Sequence, residues 1–205
     1  LDALDKEIIS ALYVAALSKD DPISIIRKKL PVNPDHLKAK IDSFVKHGIV
    51  ESDKKTLTEL GRSSLRVVLA GGVFDIIHPG HLHTLRAAKA LGDVLVVVIA
   101  TDQTAQKMKS RIPLHNMDLR RDLVSSLSMV DYAVVGHEGD IFKTVAYVKP
   151  DIIALGYDQV HQEKFITDGC RKINLNVSIA RLQSPIPDIK SSKIENEYGS
   201  SIYRT

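Results

Sequence analysis

At 205 residues the chain holds either one large domain or an ordinary domain beside a small one. Hydrophobic residues at 44% and charged residues at 26% exclude a low-complexity or disordered chain, and a formal net charge of +3 suits a handler of phosphorylated molecules without establishing nucleic-acid binding. No run of eighteen apolar residues and no signal-peptide pattern occurs, and Cys170 is the single cysteine, so the expectation is a cytoplasmic protein in a reducing compartment, with no membrane partner and no internal disulfide.

Residues 1–62 have helical texture. Leu4, Ile8, Ile9, Leu12 and Ala16 recur on one face. "DDPISIIRKKL" predicts a second helix entered through Pro22, and "NPDHLKAKIDSFVKHG" a third, with Asn33 as cap, Pro34 in the first turn and Gly48 at the end. "IVESDKKTLTELGRSSL" alternates like a short hairpin and then turns helical. Three helices and a hairpin of this length resemble a winged helix-turn-helix domain. Its charge is nearly balanced, with eleven Lys and Arg against ten Asp and Glu over residues 1–62. In the third helix Lys38, Lys40 and Lys46 are set against Asp35 and Asp42, whereas a groove reader concentrates positive charge on one face. DNA binding therefore competes here with dimerisation and with a purely structural role.

From residue 66 to 205 the grammar is strand, helix, strand. "RVVLA" is a short apolar run, "HPGHLHTLRAAKALG" a helix, and "DVLVVVIA" a strand of the kind buried on both faces. "DLRRDLVSSLSMV" is helical, "DYAVVG" a strand, "DIFKTVAYVKP" a helix stopped by Pro150, "DIIALG" a strand, a helix begins near "QVHQEKF", and "NVSIARL" is a last strand. This alternation predicts an α/β domain, a Rossmann-like parallel sheet with helices on both faces. Ligands bind such sheets outside the carboxyl ends of the strands, where the strand order reverses.

"GGVFDIIHPGHLHTL" lies at that edge, after the first strand. Gly71 and Gly72 permit positive φ and close approach of a ligand to backbone. Pro79 fits a first helical turn, so the unpaired N–H groups of the next helix face the same crevice. His78 and His81, three apart, share a face, and His83 points elsewhere. Paired imidazoles at a helix N-terminus suit a phosphate chain. Across the switch point, Gly156 permits close approach of a nucleotide, and Asp158 either bonds ribose or base or caps the following helix. Asp75 either contacts the ligand or braces the glycine turn, and Cys170 reads as inert packing.

Gly72, Phe74, Asp75, His78, Gly80 and His81 together resemble the His-x-Gly-His nucleotidyltransferases, in particular their cytidylyltransferase-like branch, whose first strand runs into Gly-x-Phe-Asp-x-x-His-x-Gly-His. "KPDIIALGYDQ" is similar to the corresponding strand and loop of archaeal FAD synthases, "RIPLHNMDLRRDLVSSLSMVD" to the family's Arg-x-Pro and arginine-bearing helix, and "KSSKI" to its late Ser-Ser-Lys signature. The resemblance covers residues 66–195 and implies transfer of AMP from ATP to FMN, giving FAD and pyrophosphate with Mg²⁺ held mainly by phosphates rather than by protein ligands. It further implies His78 and His81 as catalytic donors to the triphosphate and a nucleotide site of Gly72, Val73, Phe74, Asp75, Gly80, Arg120, Gly156, Asp158 and Ser192. Lys107 or Lys109, with Arg111, would hold triphosphate or acceptor. The family often forms homodimers. Two other readings stay open: a CTP-dependent cytidylyltransferase acting on glycerol phosphate or a similar phosphoalcohol, and a nucleotide- or flavin-sensing transcriptional regulator.

Overall fold

The computed structural model describes residues 1–156 and 159–183, together with Ile194 and Glu197. The chain divides into two units, Leu1–Arg66 and Val67–Thr205.

In the first unit α1 (Ala3–Ser18) begins at a reciprocal cap. The Asp2 carboxylate accepts from the Asp5 N–H at 2.7 Å, and the Asp5 carboxylate accepts from the Asp2 N–H at 2.9 Å. The helix buries Ile8, Ile9, Leu12 and Val14. α2 (Pro22–Lys29) and α3 (Pro34–Lys46) each start with proline in the first turn behind an Asp21 or Asn33 cap. Gly48 takes φ +67 and ends α3, which is the left-handed conformation that glycine adopts without strain. The expected hairpin is reduced to a single antiparallel bridge, Val50 with Leu57, because the intervening residues are drawn into a turn around the Asp53 carboxylate, which accepts from the Lys55 and Thr56 N–H groups. α4 (Glu59–Ser63) follows, capped by Thr58.

The second unit runs β1 (Val67–Gly72), α5 (Pro79–Lys89), β2 (Val94–Ile99), α6 (Asp102–Lys109), α7 (Met117–Ser125), β3 (Tyr132–Val135), α8 (Ile141–Val148), β4 (Ile152–Leu155), a short 3₁₀ turn (Val160–Gln162), α9 (Glu163–Lys172) and β5 (Ser178–Arg181). All pairings are parallel, in the order β3-β2-β1-β4-β5. This is the Rossmann-like fold expected, with the order reversing between β1 and β4. Every side chain of β2 is buried, as its uninterrupted apolar run requires. Val68, Ala70, Leu95, Val97 and Ile99 pack beneath Leu85 and Ala88 of α5 and Val124 of α7. The alternate positions face α8 and α9. Among the described residues no helix is long and apolar enough to cross a membrane.

α6 occupies a segment to which the sequence pattern assigned no element. Thr101 caps it by accepting from the Thr104 N–H, and Ala105 is its one buried residue, so it carries almost no apolar stripe.

Candidate active site at the carboxyl edge of the sheet

β1 delivers the chain to the edge, and His78 is the N-cap of α5, in extended conformation, with Pro79 in the first turn. The His78 side chain makes no capping bond; Pro79 has no N–H and the His81 N–H is bonded to the His78 carbonyl at 2.9 Å, so among the first-turn N–H groups it is that of Gly80 that no side chain caps. One turn on, His81 lies with its ring centroid 3.9 Å from that of His78, the planes tilted by 31°, and 5.1 Å from the Phe74 ring. Both Nδ1 atoms are buried with no protein hydrogen-bond partner.

Burial, then the adjacent His78, then the Lys109 ammonium push the His81 pKa down to about 3. Burial and Lys109 also lower that of His78. Both rings are therefore neutral donors at ordinary pH, since two imidazolium ions at this spacing beside an ammonium would repel. Of the two lysines considered, Lys109 at the end of α6 is the one whose charge reaches the rings; Lys107 is exposed on the same helix.

The structure changes the reading of the glycine turn. Neither Gly71 nor Gly72 has positive φ. Phe74 carries it, at +54, and is buried. A Cβ on Gly72 would meet the Phe74 ring at 2.9 Å, so Gly72 leaves room for the aromatic side chain that folds back over it. A phenylalanine in the left-handed region is strained, and its burial against His81 is what compensates.

Asp75 is 3% exposed and points into the protein. Its carboxylate pairs with Arg111 at 2.8 Å and accepts from the His115 N–H at 3.1 Å. Burial alone would raise its pKa, but the Leu114 and His115 N–H groups and the Arg111 guanidinium outweigh it and hold the carboxyl below its ordinary value. Asp75 thus ties the segment after α6 to the end of β1. Arg111, considered for the triphosphate or acceptor, is engaged by that carboxylate and by the Ile112 carbonyl.

Arg120, which the resemblance implies as a phosphate contact, has its guanidinium engaged by protein acceptors. It is wholly buried, donating from Nε to the His115 carbonyl at 2.9 Å, from Nη1 to the Val73 carbonyl at 2.7 Å and from Nη2 to Asp102 at 2.7 Å. It links the turn after β1, the start of α6 and α7. Val73, included in the nucleotide set, gives its carbonyl to this strut. Gly80 is buried in the first turn of α5, and Gly156 ends β4 with its N–H donating to Gln159 Oε1 at 2.9 Å. Asp158 and Ser192 lie outside the described residues. Among the described residues no three His, Cys, Asp or Glu side chains are grouped to hold a metal.

On the opposite face of the sheet the same edge opens into a cavity of about 220 Å³. Leu69, Val98, Ile153 and Leu155 form its floor, and Val145 of α8 and Ile166 of α9 its far wall. Gly71 and Gly72 line it where it approaches the histidine side. At the rim Thr101 donates to Glu138, Thr104 does so at 3.3 Å, and His137 is bound to Thr144. None of this rim was anticipated. The "ATDQT" cap signal could have marked α6, but nothing local reveals a cavity assembled from three strands and three helices.

The cytidylyltransferase-like family model matches residues 69–205. The chain is 50% identical over 125 residues to an FAD synthase of Picrophilus torridus, covering 61% of this chain and 89% of that protein. It is 53% identical over 116 residues to an FAD synthase of Aciduliprofundum boonei, covering 57% and 77%. A Thermoplasma volcanium crystal structure, described as a lipopolysaccharide core biosynthesis protein, superposes with a TM-score of 0.56 at 48% identity over 58% of this chain and 98% of that one. The match begins inside β1 and takes in the whole histidine turn, so this chain belongs to the cytidylyltransferase-like family.

Proposed function

We propose that the protein is an FAD synthase, transferring AMP from ATP to FMN with release of pyrophosphate. The observation that carries this is the neutral His78–His81 pair at the uncapped start of α5, beside an apolar cavity, in a chain about half identical to archaeal FAD synthases.

An FMN phosphate oxygen attacks the α-phosphorus of ATP, the bond from that phosphorus to the bridging oxygen breaks, and pyrophosphate leaves with the bond's electrons. No covalent enzyme intermediate is needed, so the chain's task is to position two anions and stabilise growing charge. A helix terminus gives an anion about 0.3–1 kcal/mol when exposed and about 2 when partly buried, against the roughly 8–23 kcal/mol by which enzymes lower barriers. His78 and His81 therefore act as transition-state donors to the triphosphate, and the Lys109 ammonium adds positive charge beside them. Arg120, Asp75 and Arg111 act one step back, holding the segment that carries Lys109. A divalent cation such as Mg²⁺ would neutralise phosphate charge.

The cavity favours FMN over a phosphoalcohol. At about 220 Å³ and with a largely apolar lining it suits one flat ring system rather than a whole nucleotide. A glycerol phosphate would leave that surface uncovered. The test is FAD formation and pyrophosphate release with ATP or CTP against FMN and glycerol phosphate. ATP with FMN is the expected productive pair, and turnover with CTP and glycerol phosphate alone would overturn the reading.

For residues 1–62 the reading is a winged-helix-like domain. α3 exposes Asp35 and Asp42 beside Lys38 and Lys46, and Lys54 pairs with Asp42 at 2.6 Å, so a DNA-binding role draws little support from its charge. A gel shift over a salt series tests that role directly.

A further inference from the structure

We propose that His137 is a specificity-determining residue for the acceptor: clamped by Thr144 at the cavity rim, it donates a hydrogen bond to a carbonyl oxygen on the polar edge of a planar heteroaromatic ring. The inference rests on the reading of the cavity as the acceptor pocket.

An apolar pocket fixes the orientation of a flat ring only through a few well-held polar groups. Here most polar side chains of the lining are already engaged. Thr101 and Thr104 donate to Glu138, Gln159 accepts from the Gly156 N–H, and Asp140 accepts from the Phe142 N–H. Gln162 sits in the short turn ahead of α9, with no described clamp on its side chain. His137 combines an exposed ring with a rigid attachment.

That attachment has two points. Thr144, wholly buried on α8, accepts from the His137 backbone N–H at 2.9 Å, and its Oγ1 lies 3.0 Å from His137 Nδ1. A hydroxyl has one proton, and Nδ1 is the acceptor described for it. Thr144 therefore donates to Nδ1, which leaves Nε2, at the far edge of the ring, as the ring's donor. The preceding residue is small for a matching reason: a Cβ on Gly136 would stand 3.1 Å from the Val98 side chain, so glycine lets the chain turn tightly over β2 toward the cavity. The result is a preorganised donor above an apolar floor. It recognises a ring with carbonyl acceptors, such as an isoalloxazine, whereas a phosphoalcohol chain would leave the apolar floor beneath it uncovered.

The experiment uses the full chain. FMN binding is followed by quenching of its fluorescence, and KM is measured separately for FMN and ATP in wild type, His137→Ala, His137→Asn, Thr144→Ser and Thr144→Val. Loss of one donor in His137→Ala is expected to raise the Kd and KM for FMN by about 3- to 10-fold while KM for ATP stays within about twofold. Thr144→Val is expected to shift FMN in the same direction, and Thr144→Ser, which keeps the hydroxyl, to restore it. Unchanged FMN binding in His137→Ala, or an equal rise in both KM values, overturns the inference if wild type makes FAD. If His137→Ala fails to fold, the Ser and Val variants at 144 decide it: equal FMN affinity in the two overturns it. A wild type that binds no FMN instead overturns the acceptor reading itself, and the inference with it.

Discussion

The two sides of the sheet's carboxyl edge are built from opposite materials. On the α5 side, two neutral imidazoles and a nearby ammonium gather around an uncapped helix start; on the α8–α9 side, aliphatic side chains enclose a cavity with polar groups only at its rim. Gly71 and Gly72 line the cavity and lead into the histidine turn. The contrast teaches that one strand end can serve an anion and a flat ring at once, because alternate residues of β1 face opposite ways. The proposed roles follow that split, with charge stabilisation on one side and acceptor recognition on the other.

The largest effect is expected on the polar side. His78→Ala or His81→Ala should lower turnover by about 10²–10³, the scale for losing one transition-state donor, with the thermal transition retained. Steady-state FAD formation measures this, and a wild-type rate in either variant breaks the division. Arg120→Met removes three hydrogen bonds made by a wholly buried guanidinium, so urea unfolding should report a stability loss of about 3 kcal/mol. If it folds as stably as wild type, the strut is not structural.

On the apolar side, Gly71→Val should intrude on the cavity without clashing with the fold. A Cβ at this position meets Val98 at an ordinary 3.5 Å, and the glycine has no positive φ to lose. KM for FMN should rise by roughly tenfold and KM for ATP by much less, the cost of overfilling a pocket being about 1–3 kcal/mol. Equal rises would mean that the two sides are not separate subsites.

A smaller effect distinguishes the two sides by pH. His81 stays neutral in the folded protein down to about pH 3, whereas in the unfolded chain it protonates below its ordinary 6.5. The unfolded state therefore binds more protons between those values, and stability falls as the pH drops through that window. His81→Gln should flatten the fall in urea midpoint between about pH 7 and pH 4.5; an unchanged slope would show that the ring is not held neutral. His83→Ala should alter neither rate nor pH slope.

The sheet was legible because its signals are local. An unbroken apolar run makes β2 a buried strand, and Pro79 with the two histidines marks the start of α5. What sequence reasoning missed depends on partners far along the chain. For Arg120 the resemblance implied a phosphate contact, and nothing local showed that its guanidinium donates to Val73, 47 residues away. α6 escaped the pattern reading because its only buried side chain is Ala105. In the glycine turn the residues that permit positive φ, Gly71 and Gly72, do not use it; it falls on Phe74. The cavity, with His137 and Thr144, exists only once β1, β2, β4, α8 and α9 come together.

The claim on which the rest depends is that His78 and His81 touch the triphosphate. Nitrogen-15 NMR of the imidazoles, recorded before and after adding a non-hydrolysable ATP analogue with FMN, tests it most directly. The account predicts that the ring nitrogens of His78 and His81 shift on binding while those of His83 stay in place. Saturating nucleotide that leaves both His78 and His81 unmoved would contradict it.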